Sequence, residues 1–223
     1  MSVKNQNIAF VILIGGKSTR FGSDKGSFEF LGKPLISYQL DTLYKFNRDM
    51  FLVAHAQEQI DAYKEKINFA NNVSFITDDM ELVDDEDLRT PMIGLYSAFK
   101  KLSELDYTKA FTLSCDSPLI KSEVVELLLR QAEGYDCYIP RWENGFLEPL
   151  FAIYPVKEAF EQAKESLKNK TYKLTNLINE NWKVNYVPIE YDIQPLDENL
   201  ITFINVNGPI DIQKLMEIYK DSK

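Results

Sequence analysis

Between Leu13 and Gly26 the sequence Leu-Ile-Gly-Gly-Lys-Ser-Thr-Arg-Phe-Gly-Ser-Asp-Lys-Gly places four glycines and three cations in one short segment. It follows the apolar run Ile8 to Ile14, which reads as a buried β-strand. A chain that leaves a strand through such a loop can turn tightly, bring its backbone close to a ligand and offer N–H groups to phosphate oxygens. Lys17, Arg20 and Lys25 then offset the charge those oxygens bring. The chemistry in outline is polyphosphate binding. Two familiar phosphate loops are excluded by spacing. The Walker A pattern needs a glycine where Val11 stands, and the G-x-G-x-x-G fingerprint fails because Gly15 and Gly16 are adjacent.

Two carboxylates stand where a sheet would deliver them to the same place. Asp116 follows the apolar run Ala110 to Leu113 in the string Cys115-Asp116-Ser117-Pro118. A carboxylate there can hold Mg²⁺, which usually takes one or two carboxylates plus substrate phosphates. The competing reading, a cap for the next helix, is weakened by Ser122, which is better placed to cap. Asp78 comes directly after a third strand-like run. It opens a stretch, Asp78 to Asp87, with seven acidic residues in ten positions; beyond Asp78 itself this stretch reads as a solvated, mobile loop.

The elements that must position these groups alternate along the chain. Strands are expected at 50–54, 73–77, 109–114, 136–140, 146–154, 184–189 and 201–206, and helices at 34–46, 57–67, 91–102, 122–133, 157–167 and 173–179. A final helix begins at Asn207-Gly208-Pro209. This alternation implies an α/β protein with a largely parallel, doubly wound sheet. The pair 136–140 and 146–154, joined by Glu143-Asn144-Gly145, implies an antiparallel addition. On the small face of the 91–102 helix, Gly94 and Ala98 permit close approach. In parallel sheets ligands sit beyond the carboxyl ends of the strands. Four strand ends would therefore converge on one crevice, bearing the glycine-rich loop, Asp78, Asp116 and Asn205-Val206-Asn207.

Composition narrows the classes. The 223 residues fit one α/β domain over 1–223, or a domain with a small lobe, and suffice for a sizeable core. A net charge of −9 argues against a general nucleic-acid binder. Cys115 and Cys137, the only cysteines, have no CxxC spacing and read as free thiols in a reducing compartment. The single histidine, His55, reads as structural. With no signal-peptide pattern and no apolar run near the ~20 residues of a membrane span, a cytoplasmic protein is expected.

These residues resemble the molybdenum cofactor guanylyltransferase family nearly end to end. Leu13-Ile14-Gly15-Gly16 with Ser18, Arg20, Gly22, Asp24, Lys25, Gly32, Pro34 and Leu35 is similar to its L-A-G-G-x-S-x-R-x-G-x-D-K…G-x-P-L signature. Thr90 to Gly94 looks like its G-P-L-x-G step, and Cys115-Asp116-Ser117-Pro118 like its C-D-x-P. Glu148 to Ala152 and Phe203 to Asn207 match its later E-P-L-F-A-like and F-x-N-x-N strings. The resemblance implies a three-layer, Rossmann-like nucleotidyltransferase fold, with a nucleotide-binding half at about 7–120 and a cofactor-substrate half at about 121–223. It also implies a reaction in which the terminal phosphate of molybdopterin attacks the α-phosphate of GTP, with Mg²⁺ required. By position, Lys25, Asp116 and Arg20 would be catalytic. Leu13, Ile14, Gly15, Gly16, Lys25, Asp78, Asp116, Asn205 and Asn207 would bind nucleotide or cofactor, with Asp116 holding the metal. Expected partners are GTP and molybdopterin, with molybdenum-insertion or molybdoenzyme-maturation proteins, and a monomer or weak oligomer.

The chain departs from the pattern at Ile14 (usually Ala), at Thr90 (usually Gly), in the long acidic stretch, and at Gly208 (often Thr). Three rivals carry other expectations. A cytidylyltransferase for the same cofactor usually has L-A-A-G, where Gly16 here favours the guanylyl form. A sugar-phosphate nucleotidyltransferase would need a sugar-binding set in the later half. A non-catalytic carrier would have no need of Lys25 and Asp116. Arg141 and Lys173, near Glu148 to Phe151, are read either as pterin-pocket residues or as surface charges.

Overall fold

The computed structural model describes residues 7–15, 26 and 28–221. Its central strand, β1 (Ile8–Leu13), is buried at every position, as a strand covered on both faces must be. Alternate side chains enter two different cores. Ile8, Phe10 and Ile12 pack with Ile36, Leu40, Tyr63, Val124 and Leu128 on one side. Ala9, Val11 and Leu13 pack with Met92, Leu95, Phe99, Ala159 and Ala163 on the other. The period of two along one strand thus builds a three-layer sandwich.

The elements follow as β2 (Glu29–Phe30), β3 (Lys33–Pro34), α1 (Leu35–Leu43), β4 (Met50–Ala54), α2 (Gln57–Lys66) and β5 (Val73–Thr77). Then come α3 (Pro91–Glu104), β6 (Lys109–Ser114), α4 (Ser122–Gln131), β7 (Cys137–Arg141), β8 (Phe151–Pro155), α5 (Val156–Lys168), β9 (Val184–Pro188) and α6 (Pro209–Asp221). The sheet order is β5-β4-β1-β6-β8-β7-β9. Only β8 runs against its sheet neighbours; β5, β4, β1 and β6 form parallel ladders, as do β7 and β9. The carboxyl ends of six strands therefore share one edge with the amino end of β8. A small β2–β3 hairpin stands apart, its two turn residues Leu31 and Gly32 both at positive φ (48° and 84°).

Helix α3 shows how locally the sequence sets an element. Thr90 caps it, its hydroxyl accepting from the Met92 N–H at 3.4 Å, with Pro91 in the first turn. Thr90 stands where the family pattern has glycine, and its side chain serves as the cap. Ser122 does no such thing for α4. Lys121 is the cap residue there without a side-chain bond, and the Ser122 hydroxyl turns to Glu123 instead.

Four expected elements come out differently. β8 starts at Phe151, because Glu148-Pro149-Leu150 forms a turn closed by the Phe151 N–H on the Glu148 carbonyl (3.0 Å). Proline has no N–H for a ladder. The helix at 173–179 is only a 3-10 turn over Leu174–Leu177. Tyr44–Phe46 likewise finishes α1 as a 3-10 turn, ending on Asn47 at φ 47°. The strand at 201–206 is absent; a 3-10 turn, Ile201–Phe203, stands there. The buried Asp197 carboxylate takes the Ile201 and Thr202 N–H groups (3.1 and 2.8 Å), and Leu200 sits at φ 50°. Those donors are spent before any ladder can form.

The segment after that turn enters a third small core of Phe30, Leu35, Leu119, Ile201, Val206 and Leu215, which ties α6 and the hairpin to the residues following Asp116. Replacing Asp197 by alanine strands two buried N–H groups, so a loss of about 1–3 kcal/mol is expected. Urea denaturation with an unchanged slope checks it.

Candidate active site

The described ends of the glycine-rich loop are fixed by β4 and α2. The Ile14 and Gly15 N–H groups both donate to the Val53 carbonyl (2.9 and 3.1 Å). A Cβ on Gly15 would sit 3.4 Å from the His55 nitrogen. Gln59, buried, donates to the Ile14 carbonyl (2.8 Å) while its Oε1 accepts from the His55 backbone N–H (3.0 Å) and lies 2.7 Å from His55 Nδ1. His55 is thus a structural residue, as its position implied. On the return side Gly26 lies beneath Tyr63, where a Cβ would come within 2.2 Å of the phenol oxygen, and its carbonyl accepts from Ile36. Gly16 to Lys25, including Lys17, Arg20 and Lys25, lie outside the described residues.

Leu13 and Gly15 line a cavity of about 400 Å³ with Val53, Asp78, Arg89 and Gly94. Ile14 does not: its side chain is buried in the core on the α1–α2 side, so the larger residue packs behind the cavity. Asp78 continues the β4–β5 ladder through its N–H to the Ala54 carbonyl (2.8 Å). A Cβ on Gly94 would stand 3.1 Å from Leu13 and 3.5 Å from Asp78 Oδ1, so this glycine gives the cavity its depth. Burial pushes the Asp78 carboxyl up to about 7, against the opposing positive charge of Arg89.

The acidic stretch is folded rather than loose. Asp79 receives Lys100 and gives its N–H to Ser97, and Lys170 meets Asp84. Arg89 donates to the Glu86 and Leu88 carbonyls. Met80, Leu82, Val83 and Leu88 pack against the core beside α3. Much of its acidic surface still faces solvent, and Arg89 and Asp87 reach the cavity wall.

Asp116 lies in a smaller adjoining cavity of about 150 Å³ with Ser117, Glu148, Phe203 and Asn205. Ser114 and Leu150 belong to both cavities. The Asp116 carbonyl accepts from Val206 N–H (2.7 Å), and the Ser117 hydroxyl donates to Asn205 Oδ1 (2.6 Å). Asn205 therefore reaches the site from an irregular segment rather than a strand end, whereas Asn207, two residues on, does not line either cavity. Asn207 is exposed, and its N–H donates to the Asp211 carboxylate of α6 (2.8 Å).

Sequence reasoning did not single out the groups that hold Glu148 in place. Trp142 donates to Glu148 Oε1 (2.7 Å), and the Thr112 and Tyr154 hydroxyls both reach the Pro149 carbonyl. Burial raises Glu148 above the usual carboxylate range; the Trp142 bond opposes this and the charge of Asp116 adds to it. A buried threonine within the run Ala110 to Leu113 was the available signal. Arg141 is exposed with its guanidinium 5.0 Å from the Tyr186 ring, and Lys173 is exposed.

A family model described as a MobA-like NTP transferase domain matches residues 10–182. The chain belongs to that family. As a MobA-like NTP transferase it is a nucleotidyltransferase. It is 34% identical over 204 residues to a Pyrococcus horikoshii protein named "Probable molybdenum cofactor guanylyltransferase", covering 90% of this chain and 95% of that one. A Natranaerobius thermophilus protein of the same name is 29% identical, covering 93% and 94%. Among solved structures, molybdopterin-guanine dinucleotide biosynthesis protein A from Archaeoglobus fulgidus shares the fold with a TM-score of 0.74 and 24% identity, over 96% of this chain and 99% of that one. The 4-diphosphocytidyl-2C-methyl-D-erythritol synthase of Anaerococcus prevotii shares it at a TM-score of 0.68 and 14% identity, over 96% of each chain. Among the described residues, no helix is long and apolar enough to cross a membrane.

Asp78 also makes stability depend on pH. Its folded value, about 7, lies above the ordinary 3.8, so between the two the folded chain keeps a proton that the unfolded chain has lost. The contribution is full below the lower value and is lost as pH rises through the higher one. Asp78→Asn should remove that dependence and gain stability relative to the parent between about pH 5 and about pH 8. Urea midpoints at both pH values check it, and an unchanged difference between the two proteins would refute it.

Proposed function

We propose that this chain transfers GMP from GTP to the terminal phosphate of molybdopterin, giving molybdopterin guanine dinucleotide and pyrophosphate. The observation that carries the reading is the pair of adjoining cavities, one built on Asp78 and one on Asp116, in a chain similar over nine-tenths of its length to relatives bearing that name. The larger cavity has apolar walls at Leu13 and Val53 and a carboxylate at Asp78. That carboxylate would accept from the ring N–H and the 2-amino group of guanine, a donor pair that cytosine does not present. The ribose and α-phosphate would then extend past Ser114 toward Asp116.

In the transfer, an oxygen of the molybdopterin phosphate bonds to the α-phosphorus as the bond to the pyrophosphate oxygen breaks. This chemistry asks the protein for positioning and charge neutralisation more than for covalent work. Asp116, with Glu148 beside it, is a hard oxygen donor set that suits Mg²⁺, and these residues would hold it with the phosphates of the substrate. When bound, the ion would offset charge on the α-phosphate and the leaving group. Lys25 and Arg20, by their place in the sequence, would neutralise the remaining phosphate charge. Asn205 and Ser117 form the wall from which the second substrate would approach. The two cysteines, Cys115 and Cys137, are buried and not joined in a disulfide, which accords with a reducing, cytoplasmic setting.

Titration calorimetry of GTP and CTP, each with and without Mg²⁺, tests base and metal together. Micromolar GTP binding that depends on Mg²⁺, with CTP much weaker, is the expected result; preference for CTP would overturn the guanylyl assignment. Asp116→Asn and Lys25→Ala should each lower turnover about a hundredfold, the usual cost of one charge contact to the reacting group. Circular dichroism should be unchanged, and parental turnover in either variant removes that residue from the mechanism.

A further inference from the structure

Helix α1 buries an amide where its pattern calls for an apolar side chain. Leu35, Gln39 and Leu43 fall at i, i+4 and i+8 on one face, and all three are buried. Gln39 Nε2 donates to the carbonyls of Ser114 (3.0 Å) and Ser117 (3.1 Å). Both partners can only accept, so they fix which end of the amide faces them. Oε1 then points elsewhere and meets no donor among the described residues. Buried polar atoms are almost always satisfied. What the amide contributes among the described residues is its bonded end, which holds two backbone carbonyls.

What that end holds is the turn carrying Cys115 and Asp116. Its first and last carbonyls rest on Gln39. Its opposite side is held by the Val206 N–H on the Asp116 carbonyl and by the Ser117–Asn205 bond. The turn is thus clamped between α1 and the segment leading to α6. An apolar residue at 39 would leave α1 able to pack but would release the α1 side of the clamp.

We propose that Gln39 is a positioning residue that acts through Asp116, fixing the carboxylate for the metal and the α-phosphate; this rests on the reading of Asp116 given above. Gln39 touches no reacting atom. Its action is to hold the backbone from which Asp116 projects, and small displacements at a reacting centre cost rate steeply.

The test uses the full chain with GTP, molybdopterin and Mg²⁺. Gln39→Met keeps the length of the side chain and removes its donors. Turnover should fall about tenfold or more, and the Mg²⁺ concentration for half-maximal turnover should rise about tenfold. GTP affinity without Mg²⁺ should stay close to the parent, with the unfolding midpoint lowered only modestly by the two carbonyls left without a donor. Gln39→His, which keeps one N–H donor, should be intermediate. On an Asp116→Asn background, Gln39→Met should cost nothing further. Parental turnover and Mg²⁺ dependence in Gln39→Met overturn the proposal. So does a loss that comes with parallel loss of metal-free GTP affinity and of stability, which marks a core role only. If Gln39→Met does not fold, Gln39→His decides by the same readouts. If the parent itself shows no Mg²⁺-dependent transfer, the reading of Asp116 falls and takes this proposal with it, a failure visible before any substitution at 39.

Discussion

The parallel ladder between β1 and β6 is the constraint on which the site depends. Its register pairs Leu13 with Ser114, and one more bond, Cys115 N–H to the Leu13 carbonyl, carries it past the strand ends. Both chains therefore leave the sheet at the same level and on the same edge, one into Gly15 and the other into Asp116. A slip of one residue would turn every side chain of β1 to the opposite core. Because β1 is buried on both faces, with Phe10 and Ile12 on one side and Val11 and Leu13 on the other, no such slip is tolerable. The separation of Gly15 from Asp116 is thus set by apolar packing far larger in extent than either.

Polar side chains in apolar positions do the remaining work. Gln39 lies on the buried face of α1, Gln59 on that of α2, and Thr112 inside β6, each nearly or fully inaccessible. Each bonds to backbone carbonyls of a different site segment: the Asp116 turn, the start of the glycine-rich loop, and the Glu148–Leu150 turn. A single such bond contributes about 0.5–1.5 kcal/mol net, whereas leaving a buried polar group unpaired costs about 1–3 kcal/mol. These residues therefore add little to stability and much to uniqueness, since only the correct turn geometry satisfies them.

The same distinction explains what could be read from the sequence. β4, β5 and β6 are legible to the residue: β4 is a continuous apolar run, β6 carries the apolar run Ala110 to Leu113 broken only by Thr112, and β5, at the sheet edge, keeps Val73, Phe75 and Ile76 between polar residues. The strand expected at 201–206 is not, because Asp197, four residues upstream, takes the N–H groups a ladder would need. Nothing in Ile201-Thr202-Phe203 itself signals that. The acidic stretch is misread for a related reason. Its charges suggest solvation, but Met80, Leu82, Val83 and Leu88 are interleaved among them and find partners only once α3 is in place. Asp78 and Asp116 are legible because both follow strand ends. Gln39, Gln59 and Thr112 leave a fainter mark: a polar residue where the period calls for an apolar one.

A protein of net charge −9 whose proposed substrate is a triphosphate must also manage its own field. The acidic stretch lies beside the larger cavity, yet several of its charges are met locally. Lys100 reaches Asp79 and Glu81, Lys170 reaches Asp84, and Arg89 stands at the cavity wall facing Asp78. Exposed, solvent-screened pairs of this kind add too little to stability to be explained by it. Their effect is on potential: each cation turned toward the stretch reduces the repulsion an approaching phosphate would meet. Asp78 follows the same logic from within, since burial favours its neutral form up to about pH 7. A base that brings its own donors can stabilise the ionised form on arrival. Under the proposed function, the negative charge that would accept from the base is then partly withheld until the matching ligand is in place.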